Sequence, residues 1–141
     1  MINFTFLVEN NITKIINQQY YKKWLKNVIL SEEKSLGEVQ YIFCNDDYLH
    51  EINLSYLNHD TYTDIITFST SNSKSIISGE IFISIDRVFE NSKLLSTSLE
   101  NELSRVIVHG VLHLLGYDDH SASEKIIMRN KEDYYLLLQV N

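Results

Sequence analysis

His109-Gly110-Val111-Leu112-His113-Leu114-Leu115-Gly116-Tyr117-Asp118-Asp119-His120 is the stretch around which this chain is organised. Val106-Ile107-Val108 just before it is wholly apolar, and Val111, Leu112, Leu114 and Leu115 continue the run. A helix apolar on nearly every side belongs in the centre of a domain. His109 and His113 are the strongly polar exceptions, and their spacing puts them on one helix face. Gly116 suits the left-handed position that ends a helix. The chain can then turn back and carry Asp118, Asp119 or His120 towards the imidazoles. Two neutral imidazoles plus a third ligand from a following turn make an open metal site, with zinc the usual occupant. The plainer alternative is a pair of core histidines, each of which would need its own buried hydrogen-bond partner.

Outward from this stretch, the chain bounds its own class. Its 141 residues suit one domain, residues 1–141, with a core of real size. A 44% hydrophobic and 22% charged composition is that of a globular protein rather than a disordered one. The single cysteine, Cys44, excludes an intramolecular disulfide framework and fits a reducing compartment. It lies in the apolar run Tyr41-Ile42-Phe43-Cys44 and reads as a buried structural thiol. Met1–Phe6 lacks the basic and apolar regions of a signal peptide, and no apolar run reaches membrane-span length. A cytoplasmic protein with no membrane partner is expected. The formal charge of −7 means that any nucleic-acid contact must come from a local patch.

Asn3–Val8 alternates apolar and polar residues and predicts a strand. Asn11 is placed to cap a helix from Ile12 to about Leu30, with Ile12, Ile15, Ile16, Trp24, Leu25, Val28 and Ile29 inward. Its Lys22, Lys23 and Lys26 read as a solvated helix face rather than an RNA contact. Glu38–Cys44 is a second strand, and Asn45 begins a helix to about Tyr56 with Leu49, Ile52, Leu54 and Tyr56 as its apolar set. A polar loop, Leu57–Asp64, leads to a strand at Ile65–Phe68. This strand pairs across the bend Thr70–Ser75 with another at Glu80–Ile85. Asp86 is placed to cap a helix to about Leu95. Thr97-Ser98-Leu99-Glu100 and Ser121-Ala122-Ser123-Glu124 have the capping-box pattern, opening the histidine helix and a last helix to about Leu138. Four strands and about five helices, strands early and helices late, predict an α+β or three-layer fold.

The commonest helix motif with this histidine spacing is H-E-x-x-H, in which the glutamate is the base of a metallopeptidase. Gly110 takes that position here, which argues against peptide hydrolysis and leaves room above the metal for a bulky substrate. The stretch H-G-V-L-H-L-L-G-Y-D-D-H resembles the signature H-G-x-x-H-L-x-G-Y-D-H of the YbeY family of metal-dependent endoribonucleases. Asn53-Leu54-Ser55-Tyr56 with Thr63-Asp64-Ile65-Ile66-Thr67-Phe68 resembles the family's N-x-x-Y-R…T-D-V-L-S-F block. Gly79-Glu80-Ile81-Phe82-Ile83-Ser84 resembles its G-D-I-x-I-S strand.

The resemblance implies a mixed four-stranded sheet flanked by helices, in a zincin-like three-layer arrangement with the metal on a central helix. It implies an endoribonuclease of single-stranded ribosomal RNA, acting near the small-subunit rRNA 3′ end and in ribosome quality control. The small ribosomal subunit, or a ribosomal protein, is the implied partner. One zinc per chain would be held by His109, His113 and a third ligand. One extra residue after Tyr117 puts family spacing on Asp119 and family residue type on His120. Residue type favours His120, with Asp119 then a proton acceptor or the partner of an imidazole. The family's arginine after Asn-x-x-Tyr is Leu57 here. Its charge is left to Arg105, one turn before His109, or to His59, while Arg105 reads equally as a simple helix-surface residue. His59, Asp60 and Asp64 fall in the loop that the resemblance places at the cleft, where Asp60 and Asp64 also read as turn and cap residues. Two other readings stand beside the nuclease: a non-catalytic ribosome-assembly factor with a structural metal, and a metallohydrolase of other substrates.

Overall fold

The computed structural model describes residues 1–139. The elements are β1 (Ile2–Phe6), α1 (Asn11–Lys14), α2 (Gln18–Ser31), β2 (Ser35–Cys44), α3 (Asp46–Leu57), β3 (Ile65–Ser69), β4 (Ile76–Ser84), α4 (Ile85–Leu94), α5 (Leu99–Leu114) and α6 (Ala122–Leu137). The strands form one mixed sheet in the order β1-β2-β4-β3. β1, β2 and β4 run parallel, with Phe4 opposite Tyr41 and Tyr41 opposite Ile81. β3 closes one edge antiparallel to β4, Thr67 opposite Ile81. This is the α+β, four-stranded mixed sheet that the sequence predicts. The hairpin of β3 and β4 across the serine-rich bend forms as expected.

Side-chain alternation along the strands divides the core. Tyr41, Phe43, Ile81 and Ile83 join α2, α5 and α6 in the larger apolar cluster. Phe82 and Ile66 point the other way and pack with Cys44 and with Leu49 and Ile52 of α3. Strands buried on both faces read as nearly continuous apolar runs, as Tyr41–Cys44 does. Burial pushes the Cys44 thiol up to about 12, so it is the inert structural cysteine its surroundings suggest.

α5 is central, packed on β3 and β4 and between α4 and α6. Tyr41 Oη, buried under it, donates a 2.5 Å hydrogen bond to the Ile107 carbonyl. Gly110 lies against the sheet, where an added Cβ would meet Ile81 Cγ2 at 2.7 Å and Ile65 Cδ1 at 3.1 Å. The glycine therefore lets α5 approach the sheet closely. It does not open space above the histidines, as its place in the motif suggested.

Several local expectations are corrected. Among the described residues there are six helices, because the stretch expected as one helix from Ile12 breaks after Lys14. Asn10, not Asn11, caps the first piece, and Asn17 caps the second through the Tyr20 amide. Ile15 falls at the break and is exposed rather than inward. Ser84, not Asp86, caps α4 by accepting from the Arg87 amide. Ser98 caps α5 by accepting from Asn101, one residue beyond the expected box at Thr97. The box at Ser121 and Glu124 forms as read. Tyr56 of α3 is 74% exposed and Leu54 also faces solvent, so α3 buries a narrower stripe than its apolar set implied. No helix among the described residues is long and apolar enough to cross a membrane.

Candidate metal centre

α5 ends at Leu114, and Gly116 follows with φ +105°, the left-handed stop its position required. The Tyr117 amide donates back to the Leu112 carbonyl at 3.0 Å, so the chain reverses at once. Tyr117 Oη donates at 2.5 Å to Glu32 at the end of α2. The same carboxylate accepts from Lys131 Nζ at 3.0 Å and from Tyr135 Oη. These bonds from two helices fix the start of the turn that carries Asp119.

The turn brings Asp119 to the two histidines. His109 Nε2 and His113 Nε2 are 2.9 Å apart, and Asp119 Oδ2 lies 3.3 Å from the first and 3.5 Å from the second. A tetrahedral ion with bonds of about 2.0–2.1 Å holds its ligand atoms about 3.3–3.4 Å apart. The three side chains thus offer one atom each in a triangle whose two edges to Asp119 have that length, the edge between the histidines being shorter, and together they can hold a metal ion. All three are partly buried.

Behind His109 stands a residue that sequence reasoning missed. Glu132 of α6, buried to 5% exposure, accepts from His109 Nδ1 at 2.6 Å. With Nδ1 as the donor, the Nε2 lone pair faces Asp119 and His113. A carboxylate behind a ligand imidazole fixes its tautomer and raises its basicity. Burial works against charge on His109, but Glu132, with Asp119 and Asp64 adding, raises its pKa above the usual value. His113 goes the other way, lowered by burial and by the neighbouring His109. Burial disfavours the Glu132 anion, yet the bonds from His109 and Arg105 hold it below the usual carboxylate range. Nothing in the sequence around Glu132 marks it. Only the packing of α6 on α5 makes it a partner of His109.

The other expected site residues separate. His120, favoured by residue type, is exposed at the start of α6 and is not one of the converging residues; Asp119, favoured by spacing, is. The turn thus sets the residue at family spacing, rather than the one of family type, beside the histidines. Arg105 reaches the site from behind: it donates to Glu132 at 2.9 Å and to Asp133 at 2.8 Å, leaving no free charge for a substrate. Asp64 is brought near, close enough for its charge to act on His109, and burial raises its pKa. Asn91 donates to it at 3.4 Å. His59 is exposed in the loop, where its backbone amide donates to the Asn53 carbonyl, and it is not among the converging residues. Asp60 is held by His50 at 2.8 Å, a loop contact rather than a site contact. Leu57 is the last residue of α3 and half-exposed, with no polar atom to offer in the arginine's place.

The family model described as "Endoribonuclease YbeY" matches residues 7–138. The chain belongs to the YbeY family. It is 50% identical over 133 residues to a Flavobacterium johnsoniae protein named endoribonuclease YbeY, covering 94% of this chain and 93% of that one. A Flavobacterium psychrophilum protein of the same name is 49% identical over 138 residues, covering 98% and 96%. Among solved structures, the solution structure of TM1509 from Thermotoga maritima superposes with a TM-score of 0.68 at 28% identity, over 96% of this chain and 87% of that one. The family match spans both histidines, the turn to Asp119 and Glu132, so the geometry above is that of a YbeY-family chain.

Proposed function

We propose that this YbeY-family chain is a metal-dependent endoribonuclease of single-stranded RNA. It would work as one domain in maturation of the small-subunit rRNA 3′ end and in ribosome quality control, in the cytoplasm, with the small ribosomal subunit or one of its proteins as partner. The observation that carries this reading is the convergence of His109, His113 and Asp119 in front of the His109–Glu132 pair. The relatives' shared name, endoribonuclease, supplies the substrate class. Two imidazoles and one carboxylate suit zinc, one per chain, and a zinc-like arrangement on a central helix flanked by sheet and helices is the zincin-like layering we assign.

A metal in such a site polarises water and the phosphoryl oxygens of a bound phosphodiester. The chain's own groups do the rest. Glu132 holds His109 in the tautomer whose Nε2 lone pair faces His113 and Asp119. Asp64, buried near enough for its charge to act on His109 and raised in pKa, can hold a proton next to the histidines. Asp119 counts here as a ligand, and Arg105 as a support for Glu132.

The deciding experiment is incubation of zinc-loaded protein with a single-stranded RNA. Cleavage that stops on chelation and is absent in His113→Ala supports the reading. Cleavage that persists in either case comes from a contaminant and removes it. One observation favours a second reading: with Leu57 in the arginine position and Arg105 tied to Glu132 and Asp133, neither residue supplies a free cation to the site. That suits a ribosome-assembly factor whose metal is structural. Metal binding without any RNA cleavage selects it.

A further inference from the structure

A nuclease must hold a polyanion, and this site is poorly charged for that. Asp64, Glu102, Asp119, Glu132 and Asp133 gather around His109 and Arg105 and outnumber the guanidiniums of Arg105 and Arg129. Arg105 is paired with Glu132 and Asp133, and Arg129 lies 3.6 Å from Glu132. The chain as a whole has 19 acidic and 12 basic residues. Apart from the metal proposed above, attraction for RNA must therefore come from a local concentration of unpaired cations.

α2 provides one. Gln18–Ser31 contains Lys22, Lys23 and Lys26 and no acidic residue. None of the three lysines forms an ion pair among the described residues, unlike Lys131, Arg87 and Arg105. Lys22 and Lys26 are one turn apart, an arrangement of like charges that disfavours the free helix face. A bound anion relieves it. The three lysines line an open groove of about 740 Å³ between α2 and the start of β2, with Gln19 and Ser35 as hydrogen-bonding groups and Leu36 on its floor. No carboxylate lines this groove among the described residues. Ammonium groups above an apolar floor with side-chain amide and hydroxyl groups suit a sugar-phosphate backbone, which is bound by charge without reading sequence.

We propose that the Lys22–Lys23–Lys26 groove is a backbone-binding surface for single-stranded RNA, distinct from the histidine site and supplying the affinity that site lacks. The sequence alone made these lysines a solvated face; the groove they line and the neutralised cations at the site reverse that reading. The use of the bound RNA as substrate rests on the nuclease function proposed above, whereas the binding itself does not.

The test measures binding of a fluorescent single-stranded RNA to the full chain across a salt series. Lys22→Gln/Lys23→Gln/Lys26→Gln is compared with Lys74→Gln/Lys93→Gln/Lys125→Gln, three exposed lysines elsewhere, so that net charge changes equally. Circular dichroism and thermal unfolding verify that both variants fold. Each lost phosphate contact lowers the slope of log affinity against log salt by about 0.7 for single strands, so the α2 variant should lose about 2. The control variant should keep nearly the wild-type slope. Equal slopes in the two variants overturn the proposal. So does a variant that keeps full RNA affinity but no longer binds the small ribosomal subunit, which would make the groove a protein-docking surface. Cleavage separates the two readings: if no RNA of any length is cut by wild type, the nuclease function fails while the groove stands. If it is cut, the α2 variant should raise KM for long RNA and leave kcat on a short oligonucleotide unchanged.

Discussion

Glu132 Oε2 stands 2.6 Å from His109 Nδ1, so a carboxylate on the last helix sets which ring nitrogen of the central helix faces the candidate ion. Outer-shell partners of this kind typically tune metal affinity 10–100-fold. Glu132→Gln keeps an acceptor for the Nδ1 proton but removes the charge. Zinc affinity, measured by competition with a chromophoric chelator, should fall within that range while the fold is retained. Unchanged affinity would mean that Glu132 only holds α6 against α5.

Arg105 donates to the same Glu132 and to Asp133, so its removal should be felt as lost stability. Hydrogen bonds to charged groups contribute about 1.5–3 kcal/mol each. Because Glu132 keeps His109 and Arg129, Arg105→Gln should cost about 1.5–3 kcal/mol in urea unfolding at neutral pH. A free phosphate-contacting arginine would behave differently: cleavage would fall by about two orders of magnitude with stability unchanged. The two outcomes separate support from contact.

Gly110 predicts a packing penalty. A methyl group there would press on Ile81 and Ile65 at 2.7 Å and 3.1 Å, in a core with no slack. Gly110→Ala should destabilise the fold by about 1–3 kcal/mol, the usual cost of overpacking. Thermal unfolding is the readout. If stability rises instead, helix propensity outweighs the clash.

The Glu32 cluster gives a pH dependence. Burial disfavours the Glu32 anion, but bonds from Tyr117, Tyr135 and Lys131 hold its pKa below the ordinary value of 4.5. A carboxyl whose pKa is depressed on folding contributes stability that is present above the unfolded value and lost as pH falls through the folded one. Glu32→Gln should therefore be less stable than wild type at neutral pH, and the gap should close as the pH drops below about 4.5. Tyr117→Phe removes one of these bonds at the root of the Asp119 turn. It should cost about 1–2 kcal/mol and also weaken zinc binding. A gap that is independent of pH would assign the effect to packing.

How far the sequence reached depends on the range of the interactions. His109, His113, the Gly116 stop and the Ser121 cap are local patterns, and each was legible because spacing along one segment decides it. So was the β3–β4 hairpin, where a polar bend joins two apolar runs. The break between α1 and α2 was not, since Asn17 caps a new helix inside an otherwise continuous pattern. The role of Gly110 depended on which face of α5 meets Ile81, and that of Arg105 on two acids of α6. Glu132 is the clearest case. It lies 23 residues from its histidine, and no periodicity points to a carboxylate that only tertiary packing brings into contact.

The choice between Asp119 and His120 is the sharpest remaining test, because residue type and chain geometry point to different residues. Imidazole suits zinc as well as the first two ligands do, which favours His120 by chemistry alone. Geometry opposes it. Gly116 reverses the chain, Tyr117 is fixed to Glu32, and Asp119 then faces His109 and His113 at 3.3 Å and 3.5 Å. His120 stands one residue further on, exposed and next to the Ser121 cap of α6. To reach the site it would have to displace Asp119 and unwind that cap, whose loss typically costs about 1 kcal/mol. Asp119→Ala should therefore weaken zinc binding by more than about a hundredfold, beyond the range of an outer partner. His120→Ala should leave both affinity and thermal stability close to wild type. The opposite order would show that metal binding remodels the turn and recruits the imidazole.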